Sequence, residues 1–130
     1  MREPVWIRTI EALAFHAQQI SLFGGSDGVR DRGLLDSALA RPKNRFLYAD
    51  RPLTMAELAA AYAFGISSNH PFVDGNKRTA MQVAFVFLEF NGILLRATQQ
   101  EACLAFLSLA AGQMTEAELA LWFAEYTTPR

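Results

Sequence analysis

The sequence predicts an all-α fold, and three observations carry that prediction. A threonine is followed three residues later by a glutamate at Thr54/Glu57, Thr98/Glu101 and Thr115/Glu118, each time at the head of an apolar stretch. In such a capping box the hydroxyl accepts an orphan N–H of the first helical turn, and the carboxylate reaches back to the cap. Elsewhere apolar residues recur at helical spacing, and no alternating, strand-like pattern of useful length occurs. With 130 residues, 52% hydrophobic and 19% charged, the chain suits a single domain, 1–130. Such a domain buries a core without disulfide or metal support.

Taken in order, Val5, Ile7, Ile10, Leu13, Ala14, Ala17 and Ile20 predict a first helix over residues 4–21, stopped by Gly24, Gly25 and Gly28. Residues 33–41 read as a short helix ended by Pro42. Residues 43–52 read as a loop. The three capping boxes open helices over residues 54–69, 98–111 and 115–126, the second stopped by Gly112. Between the first two of these, residues 76–90 form a helix that is apolar almost all round and ends at Asn91-Gly92. Such a helix belongs in the middle of a bundle. The architecture expected is therefore an orthogonal helical bundle around a buried central helix at about 76–90.

Composition excludes several classes. A formal net charge of −1 and the lack of a helix-turn-helix with a basic recognition face argue against direct DNA binding. No apolar run approaches the ~18 residues that a membrane span needs. The N-terminus, with Arg2, Glu3, Pro4 and Arg8, has no apolar signal-peptide core, so the expected location is cytoplasmic. Cys103 is the single cysteine; within Ala102-Cys103-Leu104-Ala105-Phe106 it reads as a buried, inert thiol. His16 reads as a packed, hydrogen-bonded structural histidine.

The chemistry is concentrated in His70-Pro71-Phe72-Val73-Asp74-Gly75-Asn76-Lys77-Arg78. This stretch is a turn leading into a helix, whose first-turn N–H groups and positive dipole end suit a phosphate. Gly75 lets the backbone bend sharply or approach a ligand closely. Lys77 and Arg78 set two cations where the dipole opposes them, so an anion is expected beside them. Asp74 is a hard oxygen donor suited to magnesium, and His70 can take a proton from a hydroxyl near neutral pH. Phe72 reads as the anchor of the loop in the core. Singly, each residue has an ordinary structural reading; together they describe a phosphoryl-type transfer site.

The stretch resembles the Fic/Doc signature, H-x-F-x-[DE]-G-N-[GK]-R, at every defined position. The resemblance extends through Phe23-Gly24-Gly25 to Arg41-Pro42 and from Asn76-Lys77-Arg78-Thr79-Ala80 to Asn91-Gly92, which are similar to death-on-curing proteins. It implies a Fic/Doc-type helical bundle, with His70 as general base, Asp74 as magnesium ligand, Gly75 and Asn76 around phosphate oxygens, and Lys77 and Arg78 neutralising them. By the same resemblance, His70, Asp74 and Arg78 would form the catalytic set. ATP and Mg2+ are the implied cofactors. AMP-transferring members carry glycine where this chain has Lys77, and a second arginine where it has Met81. A lysine narrows the anion nest, and in death-on-curing toxins it accompanies a reversed nucleotide whose γ-phosphoryl faces the target.

The resemblance therefore implies the toxin of a type II toxin–antitoxin pair: a protein Ser/Thr kinase acting on elongation factor Tu, arresting translation, and bound by a Phd-like antitoxin. Nothing in the chain reads as an inhibitory helix with a glutamate aimed at the site, so inhibition is expected in trans. Two alternatives stay open: AMP or other nucleotidyl transfer by the same loop, and a degenerate toxin that only binds its antitoxin. The intact His70, Asp74 and Arg78 argue against the second. Arg45-Phe46-Leu47-Tyr48-Ala49-Asp50 is either a short substrate-holding flap, as Fic enzymes use, or an ordinary helix connection.

Overall fold

The computed structural model describes residues 3–130. Its elements run α1 (Thr9–Phe23), α2 (Arg32–Tyr48), α3 (Met55–Asn69), α4 (Asn76–Phe90), β1 (Ile93–Leu95), α5 (Gln99–Ala110), α6 (Glu116–Tyr126) and β2 (Thr127–Pro129). All three expected capping boxes are formed, with Thr54, Thr98 and Thr115 accepting from Glu57, Glu101 and Glu118 at 3.1 Å. Helices α3, α5 and α6 accordingly begin and end within about a residue of their expected limits, and α4, which has no such cap, spans the expected residues 76–90.

The mostly helical architecture is as expected, but its hub is α3 rather than the helix over 76–90. Nine of the 15 residues of α3 are buried, against six of 15 in α4. Ala59, Ala60, Ala61 and Ala63 keep α3 slim, so α2, α4, α5 and α6 all pack against it. The bulkier α4 buries Val83, Ala84, Phe87 and Leu88 but leaves Met81, Phe85 and Val86 only part-buried. Its apolar circumference thus borders a groove as well as the core.

Residues 4–8, expected to be helical, are not, and α1 starts at Thr9 after an extended Arg8. Tertiary hydrogen bonds outcompete the helix there. Asn91 accepts from Val5 N at 2.8 Å and donates back to Val5 O at 3.0 Å, and the Tyr62 hydroxyl accepts from Ile7 N at 2.9 Å. Arg2 lies outside the described residues.

Pro42 does not stop α2, which runs on to Tyr48. An interior proline costs about 3 kcal/mol. Ending the helix there, however, would break a continuous stripe of Leu35, Ala38, Leu39, Pro42 and Phe46, the first four buried and the last packed edge-on against Trp6 at 5.6 Å. Arg41 and Arg45 on either side of Pro42 also grip Glu116 of α6. The expected loop over 43–52 thereby shrinks to residues 49–54, and most of the candidate flap is helix.

β1 and β2 pair antiparallel, Leu94 opposite Thr128. Three residues per strand are too few to show an alternating pattern in the sequence. Cys103 is exposed, not buried: on α5 it is Ala102, Ala105, Phe106 and Leu109 that face the core. Among the described residues no helix is long and apolar enough to cross a membrane.

Tyr62 is fully buried, and burial pushes its phenol up to about 12 from an ordinary 10.0. A raised folded-state value contributes stability that is complete below the unfolded pKa and is lost as pH rises through the folded one. Tyr62→Phe orphans the Ile7 N–H, so urea unfolding should report a loss of about 1–3 kcal/mol at pH 7. The deficit relative to the parent should shrink between pH 10 and 12.

Candidate functional site

The candidate site is the turn between α3 and α4. His70 ends α3 in the left-handed conformation, φ 48° and ψ 56°, as the one non-glycine residue with positive φ among those described. That geometry costs roughly 1–2 kcal/mol for a residue with a Cβ, so neighbouring structure must hold it. Phe72 is 1% exposed and stacks on His16 with ring centroids 3.9 Å apart. The Asn76 side chain closes the turn, accepting from Phe72 N and donating to Phe72 O, both at 2.9 Å.

His16 is buried, as its sequence context suggested, and its Nε2–H donates to Asp74 O at 2.8 Å. A carbonyl can only accept, so the hydrogen sits on Nε2. The stack and this bond together tie both halves of the turn to α1.

The segment between α1 and α2 completes the frame. Val73 N donates to Gly28 O at 3.0 Å, Arg30 N and Asp31 N donate to Pro71 O at 2.7 and 3.0 Å, and Val29 bridges Phe72. Ser26 N donates to the Asp74 carboxylate at 3.2 Å. Gly25 makes room for that approach: at φ +115° it stands where an added Cβ would lie 2.6 Å from Asp74 Oδ2. Sequence reasoning missed this frame. Its signal is the density of glycines at 24, 25 and 28, which in sequence marks a helix end and a stretch of family resemblance but not a contact with the turn.

Helix α4 leaves this turn unlike the other helices. Its N-cap is Gly75, φ 75°, and it has neither a side-chain cap nor an acidic residue in its first turn; among the described helices it alone lacks both. The backbone N–H groups of Asn76, Lys77 and Arg78 are thus the open donors of a positive helix end. A cavity of about 430 Å³ opens over them, lined by His70, Val73, Asp74, Gly75, Asn76, Lys77 and Arg78. Every polar residue of the signature turn therefore meets in one place, while Phe72 lies beneath it in the core and the candidate flap residues Arg45, Tyr48 and Asp50 lie elsewhere. The Asn76 amide is held by Phe72 on both its oxygen and its nitrogen, while its backbone N–H stays open at the helix end.

The electrostatics suit an anion. Asp74 is held below the usual carboxylate range, chiefly by N–H groups of Gly75 and Ser26 and less by the charge of Arg78. It is thus ionised near neutral pH. Arg78 lies 5.5 Å from the Phe23 ring centroid and donates to Gly24 O at 3.0 Å, which orders the cation beside the cavity. No cluster of three His, Cys, Asp or Glu side chains forms among the described residues. Each Asp74 oxygen accepts one N–H and keeps a further lone pair. One ionised carboxylate beside an open helix N-terminus fits magnesium, which takes few protein ligands and completes its shell with water and other oxygens.

Gly25→Ala places a methyl against Asp74 in a conformation that penalises it. Chemical denaturation should show a loss of about 1–2 kcal/mol. A carbon-13 titration should show the Asp74 carboxyl moving back up as the Ser26 contact opens.

The profile of the Fic/DOC family matches residues 6–88, which hold the whole of this turn. Toxin Doc of Mycolicibacterium smegmatis is 47% identical over 75 residues, 58% of each chain. The protein kinase doc of Escherichia phage P1 is 35% identical over 83 residues, 64% of this chain and 65% of the relative. The matches thus span about three fifths of the length of these relatives. With the signature turn at the mouth of an open helix N-terminus and a family match over more than half of its length, the chain belongs to the Fic/DOC family.

Proposed function

We propose that this protein is a toxin of a toxin–antitoxin pair that transfers the γ-phosphoryl of ATP to a serine or threonine hydroxyl of a translation factor. The observation that carries the reading is the uncapped N-terminus of α4, opening into a cavity that also holds His70 and Asp74. Three open N–H groups, Lys77 and Arg78 are donors for polyphosphate oxygens. Exposed at the rim, His70 takes the proton of the incoming hydroxyl as its oxygen bonds to the γ-phosphorus. The bond from that phosphorus to the β–γ bridging oxygen breaks, and ADP leaves with the electron pair. Magnesium on Asp74, when bound, would neutralise charge on the phosphate oxygens.

Phosphoryl rather than AMP transfer is favoured by two residues. Lys77 puts a side chain where AMP-transferring relatives have a glycine, and Met81 replaces their second arginine. The kinase name of the phage P1 relative agrees. Elongation factor Tu is the proposed target, and a target in translation places the action in the cytoplasm.

A Phd-like antitoxin is the proposed partner. A groove of about 700 Å³ bordered by α1, α4 and α5 runs from Lys77 and Arg78 past Phe85 and Val86 to Cys103 and Leu107. An amphipathic segment with an acidic end suits such a lining. Cys103, exposed in this groove, should react with maleimide in the free chain and be shielded in the antitoxin complex. Undiminished labelling of the complex would place the antitoxin elsewhere.

Intact-mass analysis of elongation factor Tu after incubation with the protein, ATP and magnesium tests the activity. A phosphate-sized gain is expected, and His70→Ala should slow it by about 10²- to 10⁴-fold. An AMP-sized gain would replace the kinase reading with nucleotidyl transfer. No gain would exclude this target.

A further inference from the structure

We infer that Arg30 is a positioning residue for His70, gripping the end of α3 so that the proposed base keeps its left-handed geometry. The inference rests on the reading of His70 as the base.

One residue holds three consecutive carbonyls. Arg30 Nε donates to His70 O at 2.7 Å, its Nη2 to Asn69 O at 2.8 Å, and its backbone N–H to Pro71 O at 2.7 Å. The carbonyls of Asn69 and His70 stand at the negative end of α3, where intrahelical donors have run out. The last turn of α3 has no basic residue of its own, so the cation that complements this end comes from another element. Where a glycine would adopt φ 48° freely, histidine needs its flanking peptides fixed. A second grip, from Asn69 Nδ2 to Leu34 O at 2.9 Å, ties the same helix end to α2.

Arg30 does not line the cavity over α4. Its hydrogen bonds to the turn all go to the backbone of residues 69–71. The planar fork suits this grip, because two donors of fixed separation meet two successive carbonyls, which an ammonium cannot reproduce. An ordinary surface arginine would make neither contact necessary, and the two roles differ in what its removal does to His70.

The test compares Arg30→Gln and Arg30→Lys with Arg51→Gln, which breaks the surface pair with Glu57 far along the chain. Without nucleotide, the HN–Hα coupling and Cα shift of His70 should leave left-handed values in Arg30→Gln and keep them in Arg51→Gln. With ATP, magnesium and the protein substrate, Arg30→Gln should lower kcat ~100-fold with KM for ATP within about twofold, a misplaced base rather than a lost binding contact. Arg30→Lys should fall between, and should carry the comparison if Arg30→Gln does not fold. Unchanged His70 signals in Arg30→Gln, or a kcat loss no greater than in Arg51→Gln, would overturn the inference. Should the parent protein transfer nothing to elongation factor Tu, that target fails, while the His70 signals still decide whether Arg30 positions it.

Discussion

Phe72 sits in a tight turn between two helices, yet it is buried to 1% exposure and stacked on His16. Most of the site depends on that burial. A large aromatic ring drawn into the core contributes roughly 1.5–3 kcal/mol, enough to offset the strain of the residues around it. With the ring fixed below, the polar residues on either side must emerge above. His70 and Asp74 flank it in sequence and both line the cavity. The Asn76 amide and the His16 imidazole then bond the backbone on each side of the ring. The loop is thus held from inside by apolar contact and closed by hydrogen bonds from Asn76 and His16, and its charged groups line the cavity above.

The start of α4 shows what is left open by this economy. Four helices fill their first-turn donors with an Asp or Thr side chain, whereas α4 begins on a left-handed glycine and places Lys77 and Arg78 against its own dipole. Local stability would favour the reverse: a serine or aspartate cap, and acids in the first turn. An arrangement that lowers helix stability in this way has a physical rationale once an anion occupies the end. Asp74 does not undo it, because its oxygens face the N–H groups of Gly75 and Ser26.

The same frame links the site to the rest of the molecule. Segment 24–31 leaves α1, crosses the turn with backbone hydrogen bonds, and enters α2 through the Asp31 cap, which accepts from Leu34 N at 2.9 Å. Helix α2 then packs on α3, the most buried element, whose end is His70. Positions of the candidate base and carboxylate are therefore set by packing among three helices and not by the loop alone.

Much of this was legible in the residues. Capping boxes are local chemistry, a hydroxyl and a carboxylate within four residues, so Thr54, Thr98 and Thr115 marked their helices without tertiary help. The signature turn is likewise contiguous, and its polar residues needed only to follow one another to converge. What the tertiary structure decided are the contests between local preference and distant partners. Pro42 loses to the stripe from Leu35 to Phe46, residues 4–8 are pulled out of α1 by Asn91 and Tyr62, and Cys103 turns outward because its neighbours fill the inner face of α5. The grip of residues 25–31 on the turn belongs here too. Those contacts join residues some 40 or more positions apart, mostly through backbone groups that every residue carries. Identity along the chain encodes side chains, whereas which backbone amide meets which carbonyl is settled only when the helices pack.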